Sequence, residues 1–461
     1  MRTSSRSFEG CSHGPCKCRP ETLSLTCWKS GINKIPASQV IPNNIKSIDL
    51  GVNHLSTLHK DTFQILPHLQ EIDLFDNQID FLPPTIFDNL ESLTSLRLHR
   101  NNLEELDEDI FLKLISLQTL DISYNDLKYL ESRLFRGNSH MKFLQLSGNH
   151  LRDLPDDIFW QLHSLEELDL SDNKLNFLPH NLFDHLTGLK KLKLSENSLE
   201  ILPQGIFRNL HKLNILKLRR NLLYDIPAHL FSNLTQLKVL ELTANKLMTL
   251  SPTNFTNLLN LKELHLGLNL ITHIPAGTFK SLLNLDKLYL FANNLEQLDA
   301  GVFEGLTKLT FLLLNNNLLK QINEYVFVDT PNIEKLHLDS NKFQYLPAKC
   351  FDCLEKLISI KLAKNPWHCD CAVSYLAAWI QNNKPKIWDT APTCRGPGDL
   401  GGKTLEIMTF DDLCDGQWAS MVRLSPRIPI QSLYPPSVNK TLNGSNIFSS
   451  MEQTKDKVET I

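Results

Sequence analysis

From Ile45 onward the apolar positions of the chain return at a fixed interval. Taking Ile45 as the first position of a frame, that position recurs at Leu69, Leu93, Leu117, Met141 and onward to Leu357, always 24 residues apart, for 14 turns without an insertion. The segment LEELDLSDNKLNFLPHNLF, Leu165 to Phe183, is a typical copy. Leu165, Leu168 and Leu170 are aliphatic while Glu167, Asp169 and Ser171 alternate with them, which predicts a short strand with one buried and one open face. The ninth position is asparagine in all 14 turns, from Asn53 to Asn365, and the nineteenth is phenylalanine 13 times, from Phe63 to Phe351. No single copy can bury its own apolar side, so each needs its neighbours.

The pattern L-x-x-L-x-L-x-x-N-x-L at this period is that of a leucine-rich repeat. The predicted fold is therefore an α/β leucine-rich repeat solenoid, a horseshoe. It has a parallel concave sheet of about 14 strands, a mostly irregular convex side and disulfide caps at both ends. Stacked repeats form one elongated domain, which overrides the length-based expectation of about three domains. The expected layout is a disordered N-terminus (1–10), an N-terminal cysteine-rich cap (11–44), repeats (45–364), a C-terminal cysteine-rich cap (365–415) and a disordered, proline-containing tail (416–461). The constant asparagines and phenylalanines read as structure. Asn138 and Thr330 replace a leucine otherwise kept at position 22, which predicts looser convex segments there.

A solenoid exposes its core at both ends and needs caps, and the cysteines cluster there. Cys11, Cys16, Cys18 and Cys27 precede the first turn; Cys369, Cys371, Cys394 and Cys414 follow the last. Four and four suggest two disulfide frameworks and an oxidising compartment. Zinc binding is the rival, but neither group has C-x2-C spacing at both ligand pairs, so no metal is expected. The stretches CSHGPCKCRPETLSLTC and NPWHCDCAVSYLAAWI resemble the N- and C-terminal flanks of extracellular leucine-rich repeat proteins, the family of carboxypeptidase N regulatory subunit, platelet glycoprotein V and leucine-rich alpha-2-glycoprotein. The resemblance covers about residues 11 to 415. It implies the pairs Cys11–Cys18, Cys16–Cys27, Cys369–Cys394 and Cys371–Cys414, and a secreted or tethered protein that binds partners rather than catalyses. Cys350 and Cys353 fall outside that pattern; a local disulfide between them or two quiet thiols are both open.

The net charge of −4 and a pI near 6.5 argue against a nucleic-acid binder. No stretch approaches ~18 consecutive apolar residues, so no membrane span is expected. Residues Met1 to Gly10 show no apolar h-region, so no signal peptide is visible there, although the cysteines point to the extracellular space. GPGDLG at Gly396 formally matches a dinucleotide fingerprint, but it lies between two cap cysteines rather than inside a βαβ unit. No H-E-x-x-H or G-x-S-x-G occurs, the histidines are scattered, and neither a cofactor nor an enzyme activity is expected. N-x-[ST] sequons stand at Asn233, Asn254, Asn439 and Asn443. Asn233, at a polar repeat position, is expected to be occupied; Asn254, at a usually aliphatic one, less so; the two in the tail should be accessible.

What varies between turns is the outward row of each strand, and in-register stacking sets each residue beside the one 24 positions on. Early turns are mostly acidic. The middle carries Lys191, Lys193, Lys217, Arg219 and Arg220; later turns carry Tyr289, Phe291, Phe311 and Leu313. Opposite charges are expected to pair across neighbours, as Asp169 with Lys193. Outward aromatics on adjacent strands form an exposed apolar patch, which marks a contact site. The expected function is non-enzymatic binding of an extracellular protein on the concave face, by these nine residues. The alternatives are a non-catalytic subunit that stabilises a secreted enzyme and an innate-immune sensor of lipids or glycans.

Overall fold

A computed structural model describes residues 14–35 and 41–414. Both predicted disordered ends, Cys11 and the sequons at Asn439 and Asn443 lie outside the described residues. One sheet of 16 strands runs the length of the solenoid. Its first two strands, Lys17–Arg19 and Ser24–Thr26, form an antiparallel hairpin in the N-terminal cap. The second pairs in parallel with the first repeat strand, Ser47–Asp49. The remaining repeat strands follow in sequence order to Ser359–Lys361. The cap hairpin accounts for the two strands beyond the 14 that the repeats supply. Register is the same throughout: Leu168 faces Leu192 and Leu192 faces Leu216.

Each strand is three residues long with its central aliphatic residue buried, as Leu216 is between Ile215 and Lys217. The asparagine that ends each strand makes this repetition possible. Asn221 is buried, and its Nδ2 donates to the carbonyls of Leu194 (2.9 Å) and Leu218 (3.2 Å) while its Oδ1 accepts from the Leu199 N–H at 3.1 Å. One side chain thus satisfies bend groups of two consecutive turns, which buried polar groups require. Just before it the backbone is left-handed, with φ 56° at Val52, 51° at Arg220 and 55° at Leu268. On the convex side Phe63, Phe87, Phe111, Phe135 and Phe159 stack at 6.2–6.5 Å between ring centres, all fully buried. The convex backbone is a succession of turns, broken by one short parallel strand pair, Gln297–Leu298 with Gln321–Ile322. Among the described residues the α-helices, Ser374–Asn382 and Phe410–Cys414, belong to the C-terminal cap.

That cap closes the core with aromatic and hydrogen-bonded contacts. Trp379 packs on Phe351 at 5.1 Å, Trp367 stacks on Phe343 at 6.1 Å, and the Tyr375 hydroxyl accepts from the Phe351 N–H. Cys369 is bonded to Cys394 and Cys371 to Cys414; at the other end Cys16 is bonded to Cys27. Cys18 is also disulfide-bonded. Cys350 and Cys353 are both free, so the alternative of a local disulfide is not realised. Burial pushes both thiols up, that of Cys350 furthest, so neither is a ready thiolate.

The expected loosening at Asn138 and Thr330 is not found. Both are fully buried. Asn138 Nδ2 donates to the Phe111 and Leu114 carbonyls at 3.0 Å each, and Thr330 Oγ1 donates to the Phe327 carbonyl at 3.0 Å. The short polar side chains fold back on the convex backbone instead of opening it. Asn138 Oδ1, however, is buried without a partner. Both carbonyls it serves also accept a backbone N–H, from Leu114 and Leu117. Asn138→Leu should therefore leave stability unchanged or raise it by ~1 kcal/mol, because it removes an unsatisfied polar atom. A denaturant midpoint lowered by more than that would show that the amide is needed.

The two described sequons differ in the same way. Asn233 is exposed, whereas Asn254 is buried, accepts from the Ser251 N–H at 2.6 Å and donates to the Ile226 carbonyl at 2.9 Å. A glycan on Asn254 would break that arrangement. In protein from a glycosylating host, glycopeptide mapping should find Asn233 occupied and Asn254 bare; occupancy at Asn254 would contradict the convex packing.

Candidate functional site

Alternation along three-residue strands sends two side chains per turn onto the concave surface, and stacking aligns them across turns. In the first two-thirds of the face, acids and bases interlock. Lys193 Nζ lies 2.7 Å from Glu167 and 3.2 Å from Asp169, and Lys191 lies 3.3 Å from Glu167. Burial raises the Glu167 pKa, but bonds and charge from Lys193 and Lys191 outweigh it and leave the carboxyl below its ordinary value. Burial lowers Lys193, and Glu167 with Asp169 reverse that and hold it above its ordinary value. Lys217 reaches Glu241 at 3.9 Å and Arg220 reaches Glu196 at 3.3 Å. Of the five basic residues picked from the sequence, Arg219 alone makes no ion pair with a described residue, and its Nε is buried without a hydrogen-bond partner. The basic group is thus mostly neutralised by acids one turn away, so it is not a free cationic patch.

The aromatic residues are arranged differently. His265 and Tyr289 occupy the same strand position on neighbouring turns and stack face to face at 4.2 Å. Phe311, diagonal to Tyr289 on the next strand, lies 5.6 Å from it and 6.0 Å from His337 on the strand beyond. The result is a continuous row of four rings over four strands, with Leu313 between Tyr289 and His337 in register. Such tilted and stacked pairs are favourable beyond their buried area. Phe291 is also half-buried and covers Gly267 of the preceding turn: a Cβ added there would come 2.4 Å from its ring. It therefore serves as flooring for this part of the face more than as an exposed anchor. Lys287 is held 2.8 Å from Glu263 at one border of the row.

From the sequence both His265 and His337 face outward, but the three turns between them hide their connection. Tyr289 and Phe311 fill that gap; the available signal was the 24-residue step from His265 to Tyr289, which breaks at Phe311 because that ring stands at a different strand position. Burial pushes both histidines below their ordinary pKa; for His337 the charges of Lys361 and Lys335 act in the same direction and Asp339 against it. With the folded value depressed, the two states are equally neutral above the unfolded pKa of ~6.5. Below it the unfolded chain takes up protons first, so stability is lost as pH falls through that window and levels off under the folded pKa. Thermal melts at about pH 7.5 and 5.5 should show a smaller acid-induced loss for His265→Gln than for the unaltered protein. Equal losses would mean that His265 does not titrate as its setting implies.

Among the described residues no group of three or more His, Cys, Asp or Glu side chains is placed to hold a metal ion, and no helix is long and apolar enough to cross a membrane. The 24-residue period, the parallel concave sheet and the disulfide-bonded ends define a leucine-rich repeat protein. The chain belongs to that family: its leucine rich repeat model matches overlapping segments that together run from residue 43 to residue 366. Among curated proteins, the leucine-rich repeat and immunoglobulin-like domain-containing nogo receptor-interacting protein 1 of Xenopus tropicalis is 30% identical over 80 residues, 17% of this chain and 13% of that protein. Carboxypeptidase N subunit 2 of Mus musculus is 34% identical over 55 residues, 12% of this chain and 10% of that protein. The matched stretches thus span a small part of these relatives. Among solved structures, the Drosophila Toll–Spatzle complex contains a chain that superposes with a TM-score of 0.69 at 23% identity, covering 83% of this chain and 57% of that one. That likeness is one of fold. Proteins of this family commonly bind other proteins.

Proposed function

We propose that this protein is a non-enzymatic extracellular binding protein that grips a protein partner on the later half of its concave face. The observation that carries the reading is the four-ring row His265, Tyr289, Phe311 and His337. It is a half-exposed aromatic surface of four contiguous rings, on a sheet whose earlier turns carry mostly ion pairs and more scattered rings, such as Phe75 on His99 and the separate Phe143. Aromatic side chains in such a setting supply most of the affinity of a contact, and paired charges around them exclude wrong partners more than they add energy. Leu313 completes the apolar centre, and Arg219, with Lys335 beside Phe311, is left to meet an acidic group of the partner. Lys191, Lys193, Lys217 and Arg220 take part only by exchanging a partner within the chain for one outside it. Disulfides in both caps suit an oxidising compartment.

The alternative of a non-catalytic subunit for a secreted enzyme draws support from the short match to carboxypeptidase N subunit 2. One experiment addresses both readings. The purified chain and its Phe311→Ala variant serve as baits in extracellular fluid from the source organism, and captured proteins are identified by mass spectrometry. A partner held by the first bait and lost by the second supports the ring row as the contact. A partner held equally by both removes it, and a peptidase among the captured proteins favours the subunit reading.

A further inference from the structure

The cations on the concave strands are unevenly employed. Through the first eleven turns the basic residues on the concave strands are mostly held by an acid: Arg97 by Asp73, Lys193 by Glu167 and Asp169, Lys287 by Glu263. In the last two turns that pattern stops at Lys335 and Lys361, and off the strands beside them further cations stand unpaired. Lys335, Lys342, Lys361, Lys364, Arg395 and Lys403 form no ion pair with any described residue. This concentration is felt locally, since Lys361 and Lys335 both disfavour a proton on His337, with Asp339 the one acid opposing them.

Three of these cations converge on one place. Where the last repeats meet the C-terminal cap, an open crevice of about 360 Å³ is lined by Asn341, Lys342, Lys364, Asn365, Pro366, Thr393 and Arg395. Two chain segments far apart in sequence build it. The left-handed residue Lys364 (φ 56°) sits just before the ladder asparagine Asn365, and Lys342 follows the preceding ladder asparagine, Asn341. Arg395 comes from the strand Cys394–Gly396, which pairs with Trp367–His368 and is held to the start of the cap by the Cys369–Cys394 bond. The bridge between Thr393 and Thr404 brings Lys403 to the same neighbourhood, its carbonyl accepting from the Cys394 N–H at 2.8 Å.

We infer that this crevice binds the sulfate esters of an acidic polysaccharide. No carboxylate lines it, so its three exposed cations are left to water and counterions, which an anionic ligand can displace. Pro366 is the single apolar side chain in the lining, so nothing there would bury an apolar group of a protein; a ligand bearing hydroxyls and anions throughout suits asparagine, threonine, lysine and arginine. At ~30 Å³ per water the volume corresponds to about a dozen waters, more than one small anion displaces and enough for part of a sugar chain. The disulfide anchoring of Arg395 means that the ordering cost of the site falls mainly on the two lysines. Exposed ion pairs are individually weak, so affinity comes from several contacts along a chain and weakens with salt.

The test uses the whole protein and size-defined heparin oligosaccharides as the probe. Surface plasmon resonance at 0.15 M salt compares the unaltered chain with a K342S/K364S/R395S variant and with an R219S/R220S variant on the concave face. The expected result is retention of heparin by the unaltered chain and by the concave-face variant, and at least tenfold weaker binding by the crevice variant, with a shallower salt dependence. All three crevice side chains are exposed, so the melting temperature should not move and folding is not in question. Absence of heparin binding, or equal binding by the crevice variant, would overturn the inference. So would equal binding of fully desulfated heparin, or thermal stabilisation by inorganic sulfate equal to that by the oligosaccharide at matched sulfate concentration, which would assign the crevice to free anions. The concave-face partner experiment does not enter this readout, so either proposal can fail without the other.

Discussion

Replacing Asn221 with alanine is expected to lower stability by ~3 kcal/mol. The side chain is buried near the middle of the solenoid and links three backbone groups: the carbonyls of Leu194 and Leu218 and the N–H of Leu199. Alanine leaves the Leu199 N–H without an acceptor in a site that water does not reach, and an orphaned buried group costs ~1–3 kcal/mol by itself. Two further bonds to carbonyls are lost and a small cavity opens. Because each turn is held only by its neighbours, the damage should be local. Hydrogen exchange at the Leu199 amide should accelerate strongly while amides several turns away change little. The exposed convex residue Asn233, whose Nδ2 also donates to a carbonyl, that of Arg208 at 3.0 Å, is the control; Asn233→Ala should cost ~0.5 kcal/mol. If the two substitutions lowered the denaturant midpoint equally, the asparagine ladder would not be what holds the bends.

The second large effect is on partner binding. Tyr289→Ala and Phe311→Ala each remove a ring from the middle of the row, and each should weaken association by ~2 kcal/mol, roughly 30-fold, if these rings are the anchors. Their cost to the folded chain should be smaller, ~1 kcal/mol, because both are half-open to solvent and lose a ring contact rather than core volume. Phe291→Ala should behave in the opposite way: its ring covers Gly267, so stability should fall more than affinity. The comparison needs melting temperatures and dissociation rates for all three variants with the partner captured above. A uniform loss of stability without loss of affinity would place the contact elsewhere on the face.

Much of this was legible in the residues because a strict period turns sequence position into spatial position. The strand positions, the inward leucines, the asparagine ladder and the convex phenylalanines all follow from a count of 24. The pairing of Lys193 with Asp169 followed too, from adjacency across strands. Three things did not follow. The left-handed residue before each asparagine carries no signature, since glycine occupies it only at Gly148 and the position otherwise accepts residues as unlike as Val52, Glu196 and Leu268. The neutralisation of the basic group is a matter of side-chain reach: Lys217 and Arg220 read as free cations until Glu241 and Glu196 are seen to meet them. The ring row crosses from one strand position to another at Phe311, so a reading confined to one position per turn breaks it into separate residues. At Asn138 and Thr330 polarity alone misleads, because a short polar side chain can bond to the backbone beside it and stay buried.

The uniform turn and the bonded ends have a mechanical consequence. A stack held only by nearest-neighbour contacts is a coil spring whose loops come away one at a time. Pulled from its termini, the chain should release extension in near-equal steps, each 24-residue turn yielding a contour of roughly 80 Å at ~3.3–3.6 Å per residue. The Cys369–Cys394 and Cys371–Cys414 bonds close loops within the C-terminal cap and shorten what that end can pay out. Under tension the loops should therefore be shed before the two clasps, and reducing those clasps should lengthen the final extension without altering the regular steps that precede it.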